Sequence, residues 1–122
     1  MLEETKKKYL FIIYELGNQG KSVRGIDIAK ALGVKKASVS LMLPKLISEE
    51  MIERSEDGSI VFTQKGAVFA GELYLTYLIL FRFFRENLGS SLENARRDAV
   101  CCLCSLTEEN AKRMIDFILQ KI

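Results

Sequence analysis

The sequence predicts a mainly α-helical fold: an N-terminal winged helix-turn-helix followed by a second, wholly helical module. Three observations predict it. Two short amphipathic segments meet at a tight turn around Gly33, the spacing of a helix-turn-helix. An Asp57-Gly58 turn between two short β-prone runs follows directly, where a wing would lie. From Thr63 onward the chain reads as three further helices.

Helix 1 is expected over residues 4–16. Tyr9, Ile12 and Leu16, with Leu10, Ile13 and Tyr14, recur at helical spacing, and Gly17 and Gly20 end the pattern. Ser22 sits where an N-cap would sit. Ile26, Ala29 and Leu32 then follow at three-residue steps, and Gly33 closes a short second helix. Val34 bridges to a third helix from about Lys36 to Glu49, whose inward stripe is Val39, Leu43, Leu46 and Ile47. Pro44 lies inside that helix and removes the bond to the Ser40 carbonyl, so the helix either kinks there or is shorter. Met51–Ser55 and Ile60–Thr63 flank the wing turn.

Thr63 reads as the N-cap of a long helix reaching to about Leu88. From Leu73 to Phe84 it is apolar nearly all round and needs cover on several sides. Leu73, Tyr74, Tyr77, Leu80, Phe81 and Phe84 are therefore expected to form a homodimer interface. Gly89-Ser90-Ser91 ends the helix. Helix 5 follows from about Leu92 to Cys104, and Thr107 caps helix 6 with Glu108 and Glu109 in its first turn. The expected division is residues 1–66 as the winged helix-turn-helix and 67–122 as the dimerisation domain, sharing the long helix from about residue 63.

Composition bounds the function. The 122 residues are 48% hydrophobic and 28% charged, which excludes a disordered chain. There is no histidine, so Ser-His-Asp and Cys-His constellations and His-based metal sites are excluded. No phosphate-binding glycine loop appears. An enzyme is therefore not expected. The longest apolar stretch, roughly from Val68 to Phe81 and interrupted by Glu72, is shorter than a membrane span, and the first residues lack a signal-peptide pattern. A cytoplasmic protein with no membrane partner is expected.

The net charge is only +2, but it is unevenly spread. Residues 20–48 carry six basic side chains against one acid, whereas residues 67–122 carry seven of each. A basic first half suits duplex DNA. The exposed N-terminal half of the third helix would enter the major groove through Lys35, Lys36, Ala37, Ser38, Ser40 and Leu41. Lys21, Arg24, Lys45 and Arg54 are expected at phosphates. A different reading, a winged helix that binds a protein partner, is separated from this one by salt dependence.

These residues carry a family resemblance. The words are Tyr9-Leu10-x-x-Ile13-Tyr14, Val23-Arg24-x-x-Asp27-Ile28-Ala29-x-x-Leu32-x-Val34, Ser38-Val39-Ser40-x-Met42-Leu43-x-Lys45-Leu46, Ile60-x-Phe62-Thr63-x-x-Gly66 and Asp98-Ala99. Together they resemble the diphtheria-toxin-repressor family of metal-dependent transcription regulators, most closely its manganese-sensing branch. The resemblance implies a winged-helix repressor whose dimers bind palindromic operators and whose DNA-binding geometry is locked by a transition metal. It also implies a metal site built from carboxylates and histidines of helix 1, the long helix and helix 5.

At those positions this chain has Lys8, Phe11, Tyr77, Val100, Leu103 and Cys104. A lysine ammonium has no lone pair to donate, and Phe, Val and Leu have no donor atom. The expectation is a vacated metal position, no cofactor, and a regulator that manganese and iron do not activate. Cys101 and Cys104, three residues apart, leave a soft-metal or thiol-redox alternative. The aromatic residues of the long helix leave another, a small apolar ligand.

Overall fold

The computed structural model describes residues 3–121. The chain divides into two compact units, Met1–Glu72 and Leu73–Ile122.

In the first unit α1 spans Glu4–Gly17, α2 Gly25–Leu32 and α3 Lys36–Ser48. Strands β1 (Ile52–Arg54) and β2 (Ile60–Phe62) follow, and α4 (Gln64–Arg82) begins here. Leu10, Phe11 and Ile13 of α1, Ile28 of α2, and Val39, Leu43 and Leu46 of α3 are essentially fully buried with Ile52 of β1. Each helix thus contributes one apolar stripe to a shared core, which accounts for most of the module's stability. The turn between α2 and α3 needs Gly33, whose φ is 68°, in the left-handed region. Val34 N–H donates back to the Ala29 carbonyl at 3.1 Å and closes the helix end.

Two details differ from the sequence reading. Ser22 does not cap α2. Arg24 is the N-cap residue, and its own N–H donates to the Asp27 carboxylate at 2.9 Å. The cause is long-range: Ile60 N–H bonds the Val23 carbonyl at 2.7 Å, holding residue 23 in an extended bridge against the wing. The helix cannot start earlier. Pro44 does not shorten α3, which continues to Ser48. Ser40 and Pro44 are both exposed, so the carbonyl that loses its donor lies on the water side.

The wing is antiparallel, with Ile52 opposite Phe62, Glu53 opposite Val61 and Arg54 opposite Ile60. Gly58 turns it at φ 84°. At its base, Thr63 Oγ1 accepts from Gly66 N–H at 3.0 Å, capping α4, and donates to the Glu50 carbonyl at 2.6 Å. A Cβ at Gly66 would collide with the Met51 carbonyl oxygen, so only glycine allows α4 to leave the wing this closely.

The second unit holds the later turns of α4, a π-helical turn (Phe83–Asn87), α5 (Leu92–Ser105) and α6 (Glu108–Gln120). Ser91 caps α5 and Thr107 caps α6, each accepting from a backbone N–H three residues on. Tyr77, Leu80, Ala95, Ala99, Leu103, Cys104 and Ile118 are buried. The rings of Tyr74, Tyr77 and Phe81 form a ladder at 5.8 and 5.7 Å between centroids.

The helical run Gln64–Asn87, 24 residues, is long and apolar enough by length and composition to cross a membrane. This corrects the sequence estimate, which counts only the stretch from Val68 to Phe81. Ala70, Tyr77 and Leu80 on this helix are nevertheless buried within the chain.

Candidate nucleic-acid interface

Lys35 caps the start of α3, and Lys36, Ala37, Ser38, Ser40 and Leu41 are all exposed along its first turns. Val39, in their midst, is 2% exposed and anchors the helix to the core beneath. α3 therefore offers one face to the core and the other, basic and small-residued, to solvent. Its first turn holds no acidic side chain. The positive helix end and the two lysines consequently add in sign, which favours a polyanion. Lys21 and Lys45 are exposed as well.

Arg24 and Arg54 are exposed but not idle. Arg24 Nη1 donates to the Asp57 carbonyl at 2.9 Å, and its Nη2 lies 3.6 Å from the Asp57 carboxylate. Arg54 Nη1 reaches the Gly58 carbonyl at 3.4 Å. Arg24 thus links the start of α2 to the wing tip, a role absent from the sequence reading because its partner lies 33 residues away. Asp57 is itself clamped: the Ser55 and Ser59 hydroxyls donate to it at 2.5 and 2.7 Å, and Ser59 N–H at 3.0 Å. These bonds, the Ser55 hydroxyl first, hold its carboxyl well below the usual carboxylate range. The Ser-x-Asp-Gly-Ser spacing is the sequence signal that marks such a turn.

The positions implied for a metal fall in both units. In the first, Lys8 is exposed and Phe11 is fully buried. In the second, Leu103 and Cys104 are 4% and 7% exposed and Val100 is half-buried. The phenolic oxygen of Tyr77 accepts a hydrogen bond from Arg96 Nη1 at 3.1 Å, and the same guanidinium lies 5.6 Å from the ring centroid. A fixed cation already engages the oxygen at that position. This donor set does not fit a manganese or ferrous ion, which needs several deprotonated O, N or S ligands. Among the described residues no group of three or more His, Cys, Asp or Glu side chains is placed to hold a metal. Cys101 is exposed and Cys104 buried, so the two thiols do not share one environment. Burial, aided by the neighbouring Cys101 and Asp98, pushes the Cys102 thiol up.

Of the residues expected at a dimer interface, Tyr77 and Leu80 are 5% and 1% exposed within the single chain. Within the single chain these two offer little surface. Leu73, Tyr74, Phe81 and Phe84 are half-buried. The exposed apolar side chains of this unit are instead Leu75, Leu78, Leu88, Leu92, Phe117 and Leu119. The sequence shows which helix is apolar all round but not which of its sides the chain covers itself.

A three-helix core, a tight second turn, an exposed basic third helix and a two-stranded wing define the class: a winged helix-turn-helix protein with an appended helical module. Residues 1–60 match the model of the iron dependent repressor N-terminal DNA binding domain. The HTH-type transcriptional regulator MntR of Geobacillus kaustophilus (strain HTA426) is 34% identical over 94 residues, 77% of this chain and 66% of that protein. Among solved structures, the metal-dependent transcriptional regulator MtsR superposes with a TM-score of 0.80 at 25% identity, over 94% of this chain and 53% of its own. The manganese regulator SloR gives 0.78 at 25%, with the same coverage. IdeR of T. acidophilum gives 0.75 at 28%, over 90% of this chain and 52% of its own. The chain belongs to the iron-dependent repressor family, the diphtheria-toxin-repressor family of the sequence resemblance. It spans about two thirds of the curated relative's length and about half of these solved chains.

Proposed function

We propose that this chain is a dimeric, sequence-specific DNA-binding transcriptional regulator, acting as a repressor, whose DNA affinity does not depend on manganese or iron. The observation that carries the first part is α3 itself. Lys35, Lys36, Ala37, Ser38, Ser40 and Leu41 are exposed together while Val39 fixes the helix from below. The short side chains let a helix approach base edges in the major groove, and Lys21, Lys35, Lys36 and Lys45 supply phosphate contacts. Two such helices from a dimer would read a palindrome, one half-site each. Exposed Leu75, Leu78, Phe117 and Leu119 supply the apolar surface for that dimer.

Metal independence is supported by the donor set. Phe11 and Leu103 fill their positions with buried hydrocarbon, and Arg96 satisfies the Tyr77 oxygen. Thiol sensing is disfavoured at Cys102, whose raised thiol pKa leaves little thiolate at neutral pH.

Fluorescence anisotropy against duplexes enriched from a random pool tests DNA binding. Affinity should fall linearly with the logarithm of salt concentration, and Lys35→Ala and Lys36→Ala should each flatten the slope by about one. Absence of duplex binding at low salt defeats the reading and favours a protein-interaction module. Calorimetry with manganese and ferrous iron, run beside the binding assay with and without chelator, tests the second part. No micromolar metal binding and no change of DNA affinity are expected. Loss of affinity on chelation overturns metal independence. Zinc or cuprous copper binding abolished by Cys104→Ser would favour the thiolate alternative.

A further inference from the structure

Leu41 is 72% exposed, the highest value of any large hydrophobic side chain in the described residues. It is not a misplaced core residue. The core face of α3 is Val39, Leu43 and Leu46, all at 2% exposure or less, and Leu41 lies on the opposite side. Ala37 is four residues before it and Ser38 three, so the three form one patch on the outward face, with Ser40 beside it. No Arg, Asn or Gln stands anywhere on α3, so the helix offers no bidentate partner for guanine through Arg or for adenine through an amide. Its long polar side chains near this patch are lysines, Lys35, Lys36 and Lys45, which suit phosphates.

An exposed leucine in that setting has one chemical complement in the major groove. Of the groups displayed there, only the thymine C5-methyl is apolar. We infer that Leu41, with Ala37, forms an apolar reading edge that selects thymine through its C5-methyl group. At the positions facing this patch, the half-site is read by hydrocarbon contact. This rests on the DNA-binding reading above and deepens it by naming the base and the group recognised.

The test uses the full chain. Duplexes are first enriched from a random pool. Each thymine of the enriched half-site is then replaced singly by deoxyuridine, which deletes only the methyl group. One or two positions per half-site should lose affinity by about fourfold each, the factor expected from one methyl group no longer removed from water. Leu41→Ala should abolish that loss at the same positions, so that thymine and uracil duplexes bind alike. Because Leu41 is exposed, circular dichroism and melting of the variant should match the parent chain. Leu41→Gln, which restores an amide, should shift the enriched base at that position away from thymine toward adenine. An enriched duplex that is indifferent to uracil at every position overturns the inference while leaving DNA binding intact. So does a uracil effect that persists unchanged in Leu41→Ala. Failure to enrich any duplex overturns both readings.

Discussion

At the scale of single residues, the wing shows what sequence can and cannot reveal. Asp57-Gly58 was legible as a turn because its chemistry is local: a left-handed glycine and a short acid that bonds its neighbours. The partnership with Arg24 was not legible, because only folding brings residue 24 to residue 57. The bonds that depress the Asp57 pKa make a pH-dependent prediction. Its folded value lies below that of the unfolded chain, so the unfolded state binds the extra proton in acid. The stabilisation is therefore fully present above the ordinary aspartate value of about 4 and fades as pH falls below it. Melting temperatures of the parent chain and Asp57→Asn should differ at pH 7 and converge as the pH is lowered from about 4 toward about 2. A difference that is constant across that range would show that the hydrogen bonds do not require the ionised carboxylate. The metal positions are a second residue-scale case. The substitutions at Lys8, Phe11, Val100 and Leu103 can be read directly from sequence. That Arg96 caps the Tyr77 oxygen cannot, since the two lie on different helices.

At the scale of elements, the helices and the wing were legible because their signals are periodic or local. The caps at Thr63 and Thr107 and the glycine at 33 follow rules that involve a few adjacent residues. The start of α2 was misplaced because a strand-like bridge from Val23 to Ile60 decides it. The π-helical turn at Phe83–Asn87 has no marker in its sequence. Two junction substitutions have opposite expected signs. Gly66→Ala drives a methyl into the Met51 carbonyl, a backbone group that cannot rotate away, and should destabilise the first unit by about 3 kcal/mol. Glu50 ends α3 in the left-handed region at φ 61°, a conformation costing a side-chain-bearing residue about 1 kcal/mol. Glu50→Gly should recover roughly that amount. Chemical denaturation reads both; a stabilised Gly66→Ala, or a destabilised Glu50→Gly, would contradict the geometry of this corner.

At the scale of the whole molecule, one chain supplies one recognition helix, whereas affinity for a specific operator within a long DNA calls for more contacts than a single half-site offers. The second unit holds the surface that would provide the second copy. Leu75 and Leu78 of α4 are 59% and 44% exposed, and Phe117 and Leu119 of α6 are 58% and 49%. These side chains are spaced along two helices whose buried sides are already filled by Tyr77, Leu80 and Ile118, so the exposed set is available without unfolding anything. Leaving it in water forgoes apolar burial worth about 1.5 kcal/mol or more per large side chain. Sedimentation should therefore find a dimer at micromolar concentration. Leu75→Glu and Leu78→Glu place a charge in the buried interface and should give folded monomers with an unchanged helical spectrum. Because linking two half-site contacts raises apparent affinity by about a hundredfold or more, the same variants should lose operator affinity by at least about that factor while keeping their weak, salt-sensitive binding to unrelated duplexes. A parent chain that is monomeric at these concentrations would remove the dimer. Monomeric variants that still bind the operator at full strength would show that this surface serves something other than pairing the two reading helices.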